Sequence, residues 1–119
     1  MSGVGDTSAI PAMTASDALV RVAAREFVLV DVREPHEWEA GHSPEARSLP
    51  MSQLGERVAE LPTDHRLAIV CHLGSRSARV TAALTDAGFD AVNVEGGMVA
   101  WVGASGQIVR DGPGAPTVD

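Results

Sequence analysis

The chain has 119 residues, with nine arginines, no lysine, sixteen acidic residues and a net charge of −7. That length suits one domain and is too short for two, and that charge disfavours nucleic acid or an anionic membrane surface as the default partner. A single cysteine, Cys71, excludes an intramolecular disulfide and any structural zinc site built from several cysteines.

Residues 1–13 are small, polar and interrupted by Pro11, and are expected as a flexible tail. Thr14 and Asp17 have capping-box spacing and open a helix carrying Leu19, Val20, Val22 and Ala23. Phe27–Val32 is a short, continuous apolar run, as buried parallel strands are. Pro35 starts a short helix with His36, Glu37 and Trp38, which Gly41 ends, and Pro44 and Pro50 mark a loop. Met51, Leu54, Val58 and Leu61 recur at helical spacing, and Pro62 stops that helix. Leu67–Cys71 reads as a second buried strand, and residues 76–87 as a helix closed by Gly88. Ala91–Val94 reads as a third strand, followed by Gly96-Gly97 and a helix through Trp101, which anchors it in the core. Gln107–Val109 is expected as a short edge strand, and residues 111–119 as a second flexible tail beyond a domain of 14–110. Strands alternating with helices predict an α/β sandwich with a mostly parallel sheet. No apolar stretch reaches membrane-spanning length, and residues 1–15 lack the basic start of a signal peptide. A cytoplasmic protein with a free thiol is therefore expected.

The chemistry gathers where the second strand ends. His72-Leu73-Gly74-Ser75 forms a tight turn between Cys71 and the helix that follows, and ligands in open α/β sheets bind beyond such strand ends. There the thiol faces unpaired N–H groups of the helix start, and a loop curling around it forms an anion nest. Gly74 permits the curl, and Arg76 adds a fixed positive charge. Donors, dipole and arginine all favour thiolate over thiol. A nucleophilic Cys71 in an anion cradle is expected, rather than a small core residue.

Cys71-His72-Leu73-Gly74-Ser75-Arg76-Ser77 resembles the active-site loop of rhodanese-type sulfurtransferases, commonly Cys-x-x-Gly-x-Arg-Ser. Asp31-Val32-Arg33-Glu34-Pro35, Glu37-Trp38 and Gly41-His42-x-Pro44 resemble the family's N-terminal signature. Val94-Glu95-Gly96-Gly97-Met98-x-Ala100-Trp101 resembles its C-terminal one. Three motifs in order, spanning about residues 15–109, imply a three-layer α/β/α sandwich with about five mostly parallel strands. The resemblance also implies a reaction. The Cys71 thiolate takes the outer sulfur of a donor such as thiosulfate, the loop holds the persulfide, and cyanide or a thiol (glutathione or a protein thiol) accepts it. Residues 72–77 would then form the persulfide-binding loop, with Arg76 meeting the sulfonate end of a donor and Ser75 and Ser77 donating hydroxyl bonds or capping the helix. The chain departs from the family pattern at Ser43, Glu45 and Ser48. His72 stands at a variable position that is often basic.

Asp31 and Arg33 are expected to buttress the loop through an internal ion pair or hydrogen bond, and His42 to hold the 41–44 loop rather than act as a base. Trp38 is expected at the pocket mouth or on the sheet surface. The four histidines lack metal-ligand spacing, so no metal is expected, and no cofactor is implied. Two other classes compete with sulfur transfer. A phosphatase or arsenate reductase needs the longer Cys-x5-Arg loop, whereas only four residues separate Cys71 from Arg76. A non-catalytic rhodanese-like module for protein binding or redox sensing usually lacks the cysteine, so Cys71 favours catalysis, although a low-pKa thiolate also oxidises readily. Nothing in the pattern sets the oligomeric state.

Overall fold

Runs too apolar to stay in water form the centre of a parallel sheet, and helices cover both of its faces. The computed structural model describes residues 10–118. In chain order it comprises Ala12–Met13 (β1), Ala15–Ala23 (α1), Phe27–Asp31 (β2), Pro35–Ala40 (α2), Arg47–Ser48 (β3), Leu54–Arg57 (α3), Arg66–Val70 (β4), Ser75–Asp86 (α4), Ala91–Val94 (β5) and Gly97–Gly103 (α5). The sheet order is β1-β5-β4-β2-β3, and every pairing is parallel.

Alternation along the strands sorts the core into two layers. Leu29, Ala68, Val70, Val92 and Val94 pack beneath α1 and α5, against Ala18, Val22, Met98 and Trp101. Val30, Leu67, Ile69 and Ala91 face the other way, against Val80 and Leu84 of α4 and against Leu61. Burying each large aliphatic side chain contributes roughly 1.5–3 kcal/mol. The three long strands therefore carry the sheet, and the two-residue edges follow from it. The start of α1 is capped by Thr14, whose Oγ1 accepts from the Asp17 N–H at 3.1 Å. Trp101 is fully buried, and its Nε1–H donates to Gln107 O at 3.3 Å.

The architecture is the expected one, but some elements differ. The expected helix over 51–61 is a 3₁₀ turn (Met51–Gln53), the single turn α3, and a second 3₁₀ turn (Val58–Glu60). Gly55 weakens the helix there, yet Leu54 and Val58 still pack against the core at helical spacing. Gln107–Val109 does not join the sheet; Val109 makes only an isolated antiparallel bridge to His42. Ser105 at φ 71° turns the chain away after α5. The sheet edges are instead Arg47–Ser48, read from sequence as loop, and Ala12–Met13, read as the end of a tail. The Thr117 N–H donates to Ala40 O at 2.9 Å, and Val118 packs against the core, so this part of the expected tail is docked. A Cβ at Gly41 would overlap the Thr117 carbonyl. Of the expected tails, residues 1–9 and Asp119 lie outside the described residues.

Candidate active site

Parallel pairing brings the carboxyl ends of β2, β4 and β5 to one edge. Cys71 is the first residue beyond β4 and is 1% exposed. The loop after it reverses at Gly74, whose φ of 111° is one that L side chains rarely adopt. That reversal directs the Gly74 N–H at Cys71 Sγ, 3.1 Å away. Ser77, fully buried in the first turn of α4, places its Oγ 3.3 Å from the same sulfur. Burial pushes the Cys71 thiol up, but hydrogen bonds from the Ser77 hydroxyl and from the N–H groups of Ser77, Gly74 and Arg76 outweigh it. The thiol is held below its ordinary pKa.

Two neighbouring elements hold the loop in this curl. The first N–H groups of α5 would otherwise lack partners. Met98 N donates to Cys71 O at 2.8 Å and Val99 N to His72 O at 3.2 Å. The approach requires glycine, because a Cβ at Gly97 would overlap both carbonyl groups. On β5, Asn93 lies beside Ile69 in register and faces α4. Its Oδ1 accepts from Ser77 Oγ at 2.6 Å, and its Nδ2 donates to Gly74 O at 3.3 Å. Sequence reasoning missed Asn93. The available signal was one amide in an otherwise apolar strand, Ala-Val-Asn-Val, since a buried polar group needs a partner.

Arg76 does not point into open space. Its Nη1 and Nη2 donate to the two carboxylate oxygens of Glu37 at 2.7 and 2.9 Å. Glu37 Oε1 also accepts the N–H of Glu34, the N-cap of α2, at 3.0 Å. The hydrogen bond from Arg76 outweighs partial burial and holds the Glu37 carboxyl at about 2. Sequence reasoning named Glu37 only as part of a motif, because its partner lies 39 residues away.

Asp31 and Arg33 are 0% and 1% exposed and form a buried ion pair, Nη2 to Oδ2 at 2.8 Å and Nε to Oδ1 at 3.0 Å. Arg33 Nη2 also donates to Gly41 O, tying β2 to the loop after α2. His42 Nδ1–H donates to Trp38 O at 2.8 Å, and the two rings stack at 3.7 Å. Trp38 thus packs on His42. Ser43 is buried, and its Oγ accepts the Glu45 N–H at 3.2 Å. In the loop itself His72 and Arg76 are half-buried, Ser75 is exposed and Leu73 is 63% exposed. Among the described residues, no group of three or more His, Cys, Asp or Glu is placed to hold a metal.

A family profile for the rhodanese-like domain matches residues 14–104. The Bacillus subtilis protein YtwF, named as a sulfurtransferase, is 41% identical over 81 residues, which is 68% of this chain and 79% of that one. Mycobacterium tuberculosis MoeZ, whose name pairs an adenylyltransferase with a sulfurtransferase, is 44% identical over 82 residues. That match covers 66% of this chain but only 21% of MoeZ, so the chain spans about a fifth of that relative. Among solved structures, a thiosulfate sulfurtransferase from Pseudomonas aeruginosa superposes with a TM-score of 0.79 and 28% identity, over 96% of this chain and 23% of that one. A rhodanese-related protein from Thermoplasma volcanium gives 0.78 and 30%, over 83% and 97%.

Proposed function

The chain belongs to the rhodanese-like domain family, and we propose that it is a sulfurtransferase whose Cys71 carries sulfane sulfur from thiosulfate or a persulfide donor to a thiophilic acceptor such as cyanide, glutathione or a protein thiol. The observation that carries this reading is the convergence of the Gly74 N–H and the Ser77 hydroxyl on Cys71 Sγ, at 3.1 and 3.3 Å. Hydrogen bonds to a charged acceptor are worth roughly 1.5–3 kcal/mol each, so a few of them offset the cost of a buried thiolate.

In the first step the thiolate attacks the outer sulfur of the donor. A new S–S bond forms at Sγ, the donor's own S–S bond breaks, and the electron pair leaves on sulfite or on a thiolate. The product is a Cys71 persulfide one sulfur longer, formed as the anion from thiosulfate and as S–SH from a protonated persulfide, lying against the same donors. The Ser77 proton has three acceptors within reach: Sγ, Asn93 Oδ1 and Gly74 O. It turns to the sulfur when the sulfur carries the charge. In the second step the acceptor takes the outer sulfur and returns the Cys71 thiolate. With no second cysteine in the chain, discharge needs an outside acceptor.

Residues 72–77 bind the persulfide, while Asp31, Arg33 and His42 hold the neighbouring segment around Trp38 and Gly41. The four-residue spacing from Cys71 to Arg76, with the guanidinium turned onto Glu37, favours a cradle for one sulfur over a phosphate site. Among the described residues no helix is long and apolar enough to cross a membrane, and a cytoplasmic setting would keep the lone thiol reduced. The test is steady-state thiocyanate formation from thiosulfate, or from an organic persulfide, and cyanide. Parallel double-reciprocal lines and loss of turnover in Cys71→Ser are expected. Full turnover in Cys71→Ser would overturn the reading.

A further inference from the structure

We propose that Glu37 is a specificity-determining residue that cancels the positive charge of the Cys71 loop, turning the site away from thiosulfate and toward organic persulfides, R–S–SH, that carry no charged group beside the sulfur. This inference rests on the sulfur-transfer reading above and narrows its donor class.

Arg76 is the only arginine between Cys71 and Ser77, and so the one permanent cation the loop offers to an anionic donor. Both of its outer nitrogens are committed to one carboxylate, at 2.7 and 2.9 Å. The pair is largely sheltered, with side chains 28% and 19% exposed, so solvent screens it less than a surface pair. Glu37 Oε1 also accepts the Glu34 N–H, at the start of α2. It is fixed before any donor arrives. A second carboxylate, Glu34, acts on Arg76 as well. The low pKa of Glu37 keeps the carboxylate charged throughout the neutral range.

The two donor classes differ in charge at the reacting sulfur. With thiosulfate, Cys71–S⁻ and S–SO₃²⁻ give Cys71–S–S⁻ and SO₃²⁻, so a thiolate must meet a dianion and total charge stays at −3. A persulfide brings at most one negative charge: in the protonated form, Cys71–S⁻ and R–S–SH give Cys71–S–SH and R–S⁻ at a total charge of −1, and in the ionised form the total is −2. Sulfur atoms and electron pairs balance in both. Only the first needs a free cation, and the pair with Glu37 leaves the loop none.

The experiment compares kcat/KM for thiosulfate with that for 2-mercaptoethanol persulfide, in the wild type, Glu37→Gln and the double variant Glu37→Gln/Arg76→Gln. Removing the carboxylate's charge exposes one positive charge to the dianion. The thiosulfate-to-persulfide ratio is expected to rise about tenfold in Glu37→Gln, equivalent to ~1.4 kcal/mol. It is expected to return close to the wild-type ratio in the double variant, where the site is again neutral. A purely structural role would lower both rates and leave the ratio unmoved, and that outcome, or a fall in the ratio, overturns the proposal. A measurement on the wild type alone stands even if the variants fail to fold. With the pair intact, added KCl should raise the thiosulfate rate by screening repulsion, whereas a rate that falls with salt marks a free cation and overturns the proposal. A wild type that takes sulfur from neither donor removes the sulfur-transfer reading itself, and Glu37's role with it.

Discussion

At the scale of single residues, the site depends on how a few donors divide their attention. Ser77 is buried, shares one proton among three acceptors, and has its carbonyl held by Thr81 Oγ1 at 2.7 Å. Deleting its hydroxyl removes one of the bonds that lower the Cys71 pKa while burial, which raises it, remains. In Ser77→Ala the midpoint of the pH profile for alkylation by iodoacetamide is therefore expected to shift upward. An unchanged midpoint would mean that the N–H groups alone set the thiolate. The sequence displays Ser77 and Gly74 plainly, because both fall in a contiguous seven-residue motif. Asn93 is not legible in this way: its importance lies in parallel register with β4 and in facing α4, and neither is written near it in the chain.

At the scale of elements, the loop is a junction. Strand β4 delivers Cys71, α4 presents its first N–H groups, and α5 uses its own to hold the carbonyls of Cys71 and His72. Gly97, at φ 60°, lets the two backbones touch. Gly97→Ala is expected to cost about 1–3 kcal/mol, from both the left-handed backbone and the overlap. Because the strain falls on the loop, sulfur transfer should drop more than urea unfolding alone would suggest. A variant with wild-type stability and turnover would contradict the junction. The long elements were legible because their patterning is strong: β2, β4, β5 and α4 lie within a residue of where composition puts them. The edges were not, because a two-residue strand has no periodicity of its own. Arg47–Ser48 and Ala12–Met13 become strands only because β2 and β5 offer them backbone partners. The 51–61 segment shows the converse. Its apolar spacing is genuine, but Gly55 and the single-turn length leave it partly 3₁₀.

At the scale of the molecule, a parallel sheet of order β1-β5-β4-β2-β3 brings residues far apart in sequence to one edge. Two ion pairs bind that edge together: Asp31 with Arg33, buried beside β2, and Glu37 with Arg76, joining α2 to α4. The second pair gives the fold a defined acid response. Glu37 is shifted from an ordinary 4.5 to about 2 in the folded chain. A depressed carboxylate pKa contributes stability that is fully present above about 4.5 and is lost as pH falls toward 2. After a discount for partial exposure, the contribution is on the order of 2 kcal/mol. The stability difference between the wild type and Glu37→Gln in urea should thus be largest near neutral pH and shrink between 4.5 and 2. A difference that stays constant over that range would mean the pair does not stabilise the fold.

The proposed function requires Cys71 to hold the sulfur in transit. Intact mass spectrometry tests it most directly, after incubation first with thiosulfate or 2-mercaptoethanol persulfide and then with cyanide. A gain of one sulfur, about 32 Da, that disappears on adding cyanide and is absent in Cys71→Ser is the predicted result. A wild-type chain that alkylates normally at Cys71 yet gains no sulfur from either donor would contradict it.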